Sequence, residues 1–344
     1  MKTIVLEKPN LFRLTDTPYP PKPGPGEALV RVHRVGVCGS DLHAIEGKQA
    51  FFTYLRVIGH EVGVEVVALG VASDDAGMAV DVVVGDRCCV EPCLSCGHCS
   101  ACRRGKTNCC ANVKVLGVHV DGGMREAMLV PTRNLHRSET LSFDELALVE
   151  MLAIGAHAMR RATPENGENV LVIGAGPIGL SVTESALAAG ANVLVMDVRE
   201  SRLAFCRENV AVTACLDARD DPMAQIRELL SGELPTLVVD ATGNPKSMNR
   251  SFDYVEHGGR LLFVGHYTGD ITFSNPLFYA REMTLTASRN ATAEDFSRAM
   301  HMLDTGQINA DAWITHRASA DEFIEAVNKW MLPDSGVLKA VLEM

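Results

Sequence analysis

Eight of the chain's 11 cysteines stand between residues 88 and 110. Cys96, Cys99 and Cys102 are each separated by two residues, and Cys110 follows. Such spacing lets thiolates from one loop surround a tetrahedral Zn²⁺. Four thiolates close the coordination shell, so the cluster predicts a structural metal and no open position for chemistry. Spacing alone also permits the set 93/96/99/102. Disulfides fit less well, because disulfide-rich domains are short and spread their cysteines through the chain. A set of free thiols would leave many reactive groups in one loop.

A second group mixes ligand types. Cys38-Gly39-Ser40-Asp41-Leu42-His43 and Gly59-His60-Glu61 are two short glycine-flanked stretches. Cys38 and His60 offer one sulfur and one nitrogen, and Glu61 or Glu150 offers an oxygen. Three protein ligands leave a position open for a substrate oxygen, as a catalytic zinc requires. Asp41 is a candidate acceptor for the other nitrogen of a ligating imidazole.

A third group points to a dinucleotide. Gly174-Ala175-Gly176-Pro177-Ile178-Gly179 matches G-x-G-x-x-G between a strand-like run and a helix-like one. Gly174 allows the tight turn, Gly176 lets a pyrophosphate approach the backbone, and Gly179 lets helix and strand pack closely. The helix N-terminus supplies free N–H groups. Asp197, 23 residues after Gly174, suits both adenosine-ribose hydroxyls and repels a 2′-phosphate, which favours NAD over NADP.

The elements that must hold these groups change grammar near residue 150. Before it, Gly- and Pro-rich turns separate short β-branched runs such as 28–32 and 62–68, the pattern of an all-β region. After it, apolar runs at 169–173, 193–196, 213–216, 236–239 and 260–265 alternate with helix-like segments. Those segments are 177–189, 201–208, 222–230 and 245–256. Alternation of this kind predicts a doubly wound parallel sheet. Two more helices are expected near 294–303 and 320–331, and a last strand at 337–342.

Composition narrows the classes. The 344 residues carry 32 basic and 43 acidic side chains, a formal net charge of −11. That balance argues against a nucleic-acid partner. Hydrophobic residues make up 47%, enough for a substantial core and too many for global disorder. The start of the chain lacks an apolar run of signal-peptide length, and no run of about 18 apolar residues suggests a membrane span. A cytoplasmic protein with a small-molecule substrate is expected.

These motifs resemble the zinc-dependent medium-chain alcohol dehydrogenases, and the likeness spans essentially the whole chain. The resemblance implies an α/β architecture. A GroES-like β-barrel catalytic domain would occupy 1–148 and 291–344, with a structural zinc lobe at about 88–112. A Rossmann NAD-binding domain would occupy 149–290. It selects Cys96, Cys99, Cys102 and Cys110 as the structural ligands. Ser40 matches the hydroxyl that contacts the substrate alcohol, and His43 the histidine that passes the proton to solvent. Arg202 matches a basic residue that packs against the adenosine ribose. Homodimers or homotetramers are the implied assemblies.

The segment 150–157 resembles the polyol-dehydrogenase branch. There Glu150 stands in place of a cysteine ligand and binds the zinc or its water, and Met151 departs from the usual proline. Members of the family use the Glu61 position as a direct ligand or set it just behind the metal. The strings at 115–119, 121–125, 288–292 and 51–54 are similar to bacterial sugar-acid dehydrogenases of the L-galactonate 5-dehydrogenase type. The implied reaction is oxidation of a secondary alcohol of an L-galactonate- or L-gulonate-like aldonate to a ketone, with hydride transfer to NAD. Arg125 and Arg289 are the candidate cations for the substrate carboxylate. The competing readings are a sorbitol/galactitol-type polyol dehydrogenase, an L-threonine-type dehydrogenase and, more remotely, a non-catalytic nucleotide-binding protein.

Overall fold

The structure, a computed structural model, describes residues 1–49, 52–70, 82–332 and 334–344. Phe51, in the 51–54 string, lies outside them. The chain divides into two compact units. One is Met1–Glu150 with Thr292–Met344, and the other is Met151–Ala291.

The first unit is built around the strand Glu27–Val37. Its alternation puts Ala28, Val30, Val32 and Val35 into the core, each 2% exposed or less. It pairs antiparallel with Glu61–Leu69 and Ala127–Pro131. The C-terminal strand Lys339–Glu343 returns to the same hub, with Ala340 opposite Val37. Among the described residues seven strands form this sheet, with Ile314–Ser319 at one edge. The tail of the sequence thereby completes the first unit.

Gly63 lets the helix Phe143–Ala162 lie against this sheet, because a Cβ there would crowd the Phe143 carbonyl and Leu146. Sequence reading takes 150–157 as a ligand-bearing segment and does not read a helix there. Its residues Leu146–Val149 and Met151–Ala153 are all buried, and apolar side chains all round a helix leave no amphipathic stripe to detect.

The second unit holds six parallel strands. Their spatial order is Ala214–Asp217, Asn192–Asp197, Asn169–Ile173, Leu237–Asp240, Arg260–Phe263, Thr284–Ala287. The order reverses beside Asn169–Ile173, and in open α/β sheets that reversal is where ligands bind. Val170, Leu171 and Val172 are fully buried, as a parallel strand covered on both faces requires.

Two predicted helices differ. The 245–256 segment is an α-helix only over Pro245–Arg250 and continues as a 3₁₀ turn, Ser251–Tyr254. The Ser251 hydroxyl donates back to the Met248 carbonyl at 2.7 Å, a side-chain bond that competes with helix continuation. The 320–331 helix begins at Phe323, because Glu322 accepts from the Ser319 N–H and hydroxyl and fixes a turn before it. Among the described residues no helix is long and apolar enough to cross a membrane.

Candidate functional site

The sulfurs of Cys96, Cys99, Cys102 and Cys110 all lie within 4.8 Å of one another. Four ligands about 2.3 Å from a common centre lie about 3.8 Å apart, so the group fits a tetrahedral zinc. Cys93 is buried outside this group and Cys109 is exposed, which excludes the 93/96/99/102 set. Backbone N–H groups prepare the thiolates. The Cys96 and Asn112 N–H groups each donate to Cys110 Sγ at 3.3 Å. Cys99 is pushed down to about 6, chiefly by the backbone of Cys102 and Ala111. Cys102 is pushed up to about 11, by lost hydration and then by its thiol neighbours. Four adjacent thiols cannot all ionise without a cation to hold them, and a divalent metal supplies that charge.

The second group is built on the first unit's hub. Cys38 ends the strand Glu27–Val37 and caps the helix Gly39–Ile45. Asp41, 2% exposed, accepts the Cys38 N–H at 3.0 Å. Its other oxygen lies 3.5 Å from His60 Nδ1. That separation is an ion-pair contact, and Nδ1 makes no hydrogen bond in this geometry. The second ring nitrogen, Nε2, stands 3.4 Å from Ser40 Oγ. Burial opposes a charge on His60, but Asp41 and Cys38 outweigh it and hold the ring's pKa well above the usual imidazole range. The site therefore attracts positive charge at the place a metal would take.

Cys38, His60 and Glu61 bring one ligand atom each within 4.8 Å of one another. Glu61 is fully buried, and neither carboxylate oxygen is satisfied by a hydrogen bond. A buried carboxylate left so is costly unless a cation meets it. One cation does: Lys339 Nζ pairs with Glu61 Oε2, with both side chains 1% exposed. Gly36, directly opposite Glu61 across the strands, makes room, since a Cβ there would overlap the carboxylate. The donor set and the unsatisfied oxygens fit a zinc ion.

Glu150 stands outside this ligand group. It is half-buried, faces the charges of His60, Glu61 and Lys339, and is pushed up to about 7 by burial first. Of the two candidate carboxylates, Glu61 is the one whose oxygen lies with Cys38 and His60, and Gly36 makes the room for it. His43 is exposed on the helix Gly39–Ile45, its side chain 64% accessible, and Ser40 is half-buried against His60.

In the second unit Gly174 takes φ +97° at the end of its strand, and Gly176 caps the helix Pro177–Ala188 with Pro177 at its first position. A side chain on Gly179 would overlap the Gly174 carbonyl, whereas one on Gly176 would meet nothing within 4 Å. The helix thus packs tightly on one side and presents open space on the other, where a pyrophosphate fits its N–H groups. Ile178 follows Pro177 in the first turn. Asp197 is held by the N–H groups of Ala175 at 2.6 Å and Arg199 at 2.8 Å, with lone pairs left for ribose hydroxyls. Arg202 is half-buried near Asp197, and burial lowers its pKa.

Arg289 is exposed just after the strand Thr284–Ala287. Arg125 lines a cavity of the first unit whose walls include none of Cys38, Ser40, His60 or Glu61. It pairs in backbone with Thr3, on the N-terminal hairpin. Sequence reasoning missed Lys339. A lone lysine in an apolar tail carried no signal beyond its place inside the last strand-like run.

Comparison with known proteins gives two family matches: an alcohol dehydrogenase GroES-like domain at residues 24–140 and a zinc-binding dehydrogenase domain at 177–305. The chain is 41% identical to L-galactonate-5-dehydrogenase of Escherichia coli K12 over 326 residues, 94% of this chain and 93% of that protein. It is 30% identical to L-threonine 3-dehydrogenase of Pyrococcus horikoshii, covering 89% and 88%. A crystal structure of the alcohol dehydrogenase rspB from Escherichia coli CFT073 with NADH superposes with a TM-score of 0.91 at 30% identity, covering 100% and 99%.

Proposed function

This chain belongs to the zinc-binding alcohol dehydrogenases with a GroES-like domain, and from that premise we propose that it oxidises a secondary alcohol of a sugar acid to a ketone with NAD. It is a zinc-type dehydrogenase of the polyol and sugar-acid branch. The observation that carries the finer reading is the 41% identity, over nearly the full chain, to a dehydrogenase of L-galactonate. The 30% identity to L-threonine 3-dehydrogenase supports the second reading, an amino-alcohol substrate.

Cys38, His60 and Glu61 hold the catalytic zinc, and Cys96, Cys99, Cys102 and Cys110 the structural one. When bound, zinc supplies the Lewis acid that lowers an alcohol's pKa, and NAD supplies the hydride acceptor. Asp41, 3.5 Å from His60 Nδ1, stabilises positive charge on that ring. Ser40 Oγ, beside that ring, would accept the substrate hydroxyl proton only as it passes its own proton onward. His43, accessible to solvent, carries the proton outward. Gly174, Gly176, Pro177, Ile178 and Gly179 shape the pyrophosphate cradle, and Asp197 with Arg202 takes the adenosine ribose. Asp197 opposes a 2′-phosphate by charge.

Arg289 is the proposed partner of the substrate carboxylate. Arg289→Met is expected to raise KM for aldonates at least tenfold while leaving KM for neutral polyols within twofold. Steady-state NADH formation measures both. Equal effects on the two substrate classes would remove Arg289 from that role.

A further inference from the structure

The first unit contains a cavity of about 720 Å³ under the N-terminal hairpin, apart from both metal groups. Its size suits a small molecule. Three arginines lie in its wall, and one of them, Arg13, is paired with Glu7 at 2.5 Å. Arg56 pairs in backbone with Leu6, and Arg125 with Thr3, so one N-terminal strand sets both.

Arg56 leaves its Nε unpartnered, but its terminal nitrogens are engaged. Its guanidinium donates to Thr53 at 2.8 Å and reaches Asp121 at 3.4 Å. Arg125 Nε is buried without a hydrogen bond, and no acidic side chain among the described residues pairs with it. Asp121 is the one charge that supports it, and Asp121 already serves Arg56 and the Val57 N–H. A guanidinium carries five donors and cannot shed its charge in a protein. A buried Nε–H without a partner is costly, and the terminal nitrogens have no protein acceptor among the described residues, so the group can take an occupant.

We propose that this cavity is a binding site for a small monocarboxylate, held by a fork of hydrogen bonds from Arg125. The guanidinium plane matches a carboxylate bidentately. Asp121 and Asp16 share the same wall, so a dianion such as phosphate is disfavoured relative to a monoanion. Val5, Val57 and Leu129 receive an apolar body. In a chain of net charge −11, a cation free to meet an anion is a local exception.

The site also backs onto the metal-binding loop. Gly122, Gly123 and Met124 donate backbone hydrogen bonds to Val57, Gly59 and Ile58 at 2.7, 2.8 and 3.0 Å. These are the residues just before His60. An occupant on Arg125 therefore braces the segment that presents His60.

The test is calorimetric titration of the holoenzyme with butyrate, which has the carboxylate and an apolar body but no hydroxyl to oxidise. Saturable binding of one butyrate at this site per chain is expected. Arg125→Met should weaken it at least tenfold. Asp121→Asn should strengthen it severalfold, a gain that a folding defect cannot mimic. Because a carboxylate can also approach the zinc centre, Cys38→Ser is the control, and this binding should persist in it. Unchanged affinity in Arg125→Met, loss in Cys38→Ser, or tighter binding of inorganic phosphate than of butyrate would each overturn the proposal.

Discussion

Glu61 concentrates the chemistry of the first unit at one carboxylate. It has a metal-ligand group on one side and the Lys339 ammonium on the other. Removing one member of a buried ion pair leaves an uncompensated charge, at a cost of roughly 3–5 kcal/mol. Lys339→Met should therefore lower stability by about that amount in the metal-stripped protein. Added zinc should offset part of it, because the metal supplies Glu61 with a second counter-ion. Melting curves of wild type and variant, with and without zinc, measure the gap. A gap of the same size in both conditions would contradict Glu61 as a ligand. Cys38, His60 and Glu61 are legible in the sequence because each sits in a short motif of ligand types. Lys339 is not, because its partner is set by strand register: Ala340 pairs with Val37, which brings the tail beside Cys38 and Glu61.

At the scale of elements, the cysteine lobe and the helix after the glycine motif make separate predictions. From residue 95 to 112 the lobe has little regular structure, a four-residue helix and one 3₁₀ turn, so metal ligation must supply much of its stability. Cys99→Ser is expected to lower the melting temperature by at least about 4 °C, equivalent to 1–2 kcal/mol for a unit of this size. A melting temperature that does not move would contradict a structural metal there.

In the helix Pro177–Ala188, Glu184 is 9% exposed and pushed up to about 7 by burial. Its folded pKa thus exceeds the ordinary 4.5. Between those values the folded protein holds a proton that the unfolded chain releases, so stability falls as pH rises through that window. Glu184→Gln should abolish this slope, gaining up to roughly 3 kcal/mol over wild type at pH 8 and little at pH 4.5. Urea unfolding at the two pH values checks it, and an equal gain at both would refute the assignment. The strands and helices of this unit were readable because β-branched apolar runs alternate with capped helical segments. The helix Phe143–Ala162 was not, because its burial on all sides erases the period that sequence reading uses.

For the whole molecule, the reading from composition and motif converges with the folded chain on one activity. The two ligand groups and the glycine turn identify zinc and a dinucleotide as the working parts. Substrate identity was the least legible feature. A pocket's preference rests on a few side chains that no spacing rule announces, and Arg125 illustrates the point by facing a cavity of its own. The most direct test is the rate of NADH formation by the zinc-loaded protein with aldonates, neutral polyols and L-threonine under one set of conditions. The account predicts the highest kcat/KM for an aldonate of the L-galactonate class. A higher value for L-threonine or a neutral polyol, or no NADH formed with any of the three, would contradict it.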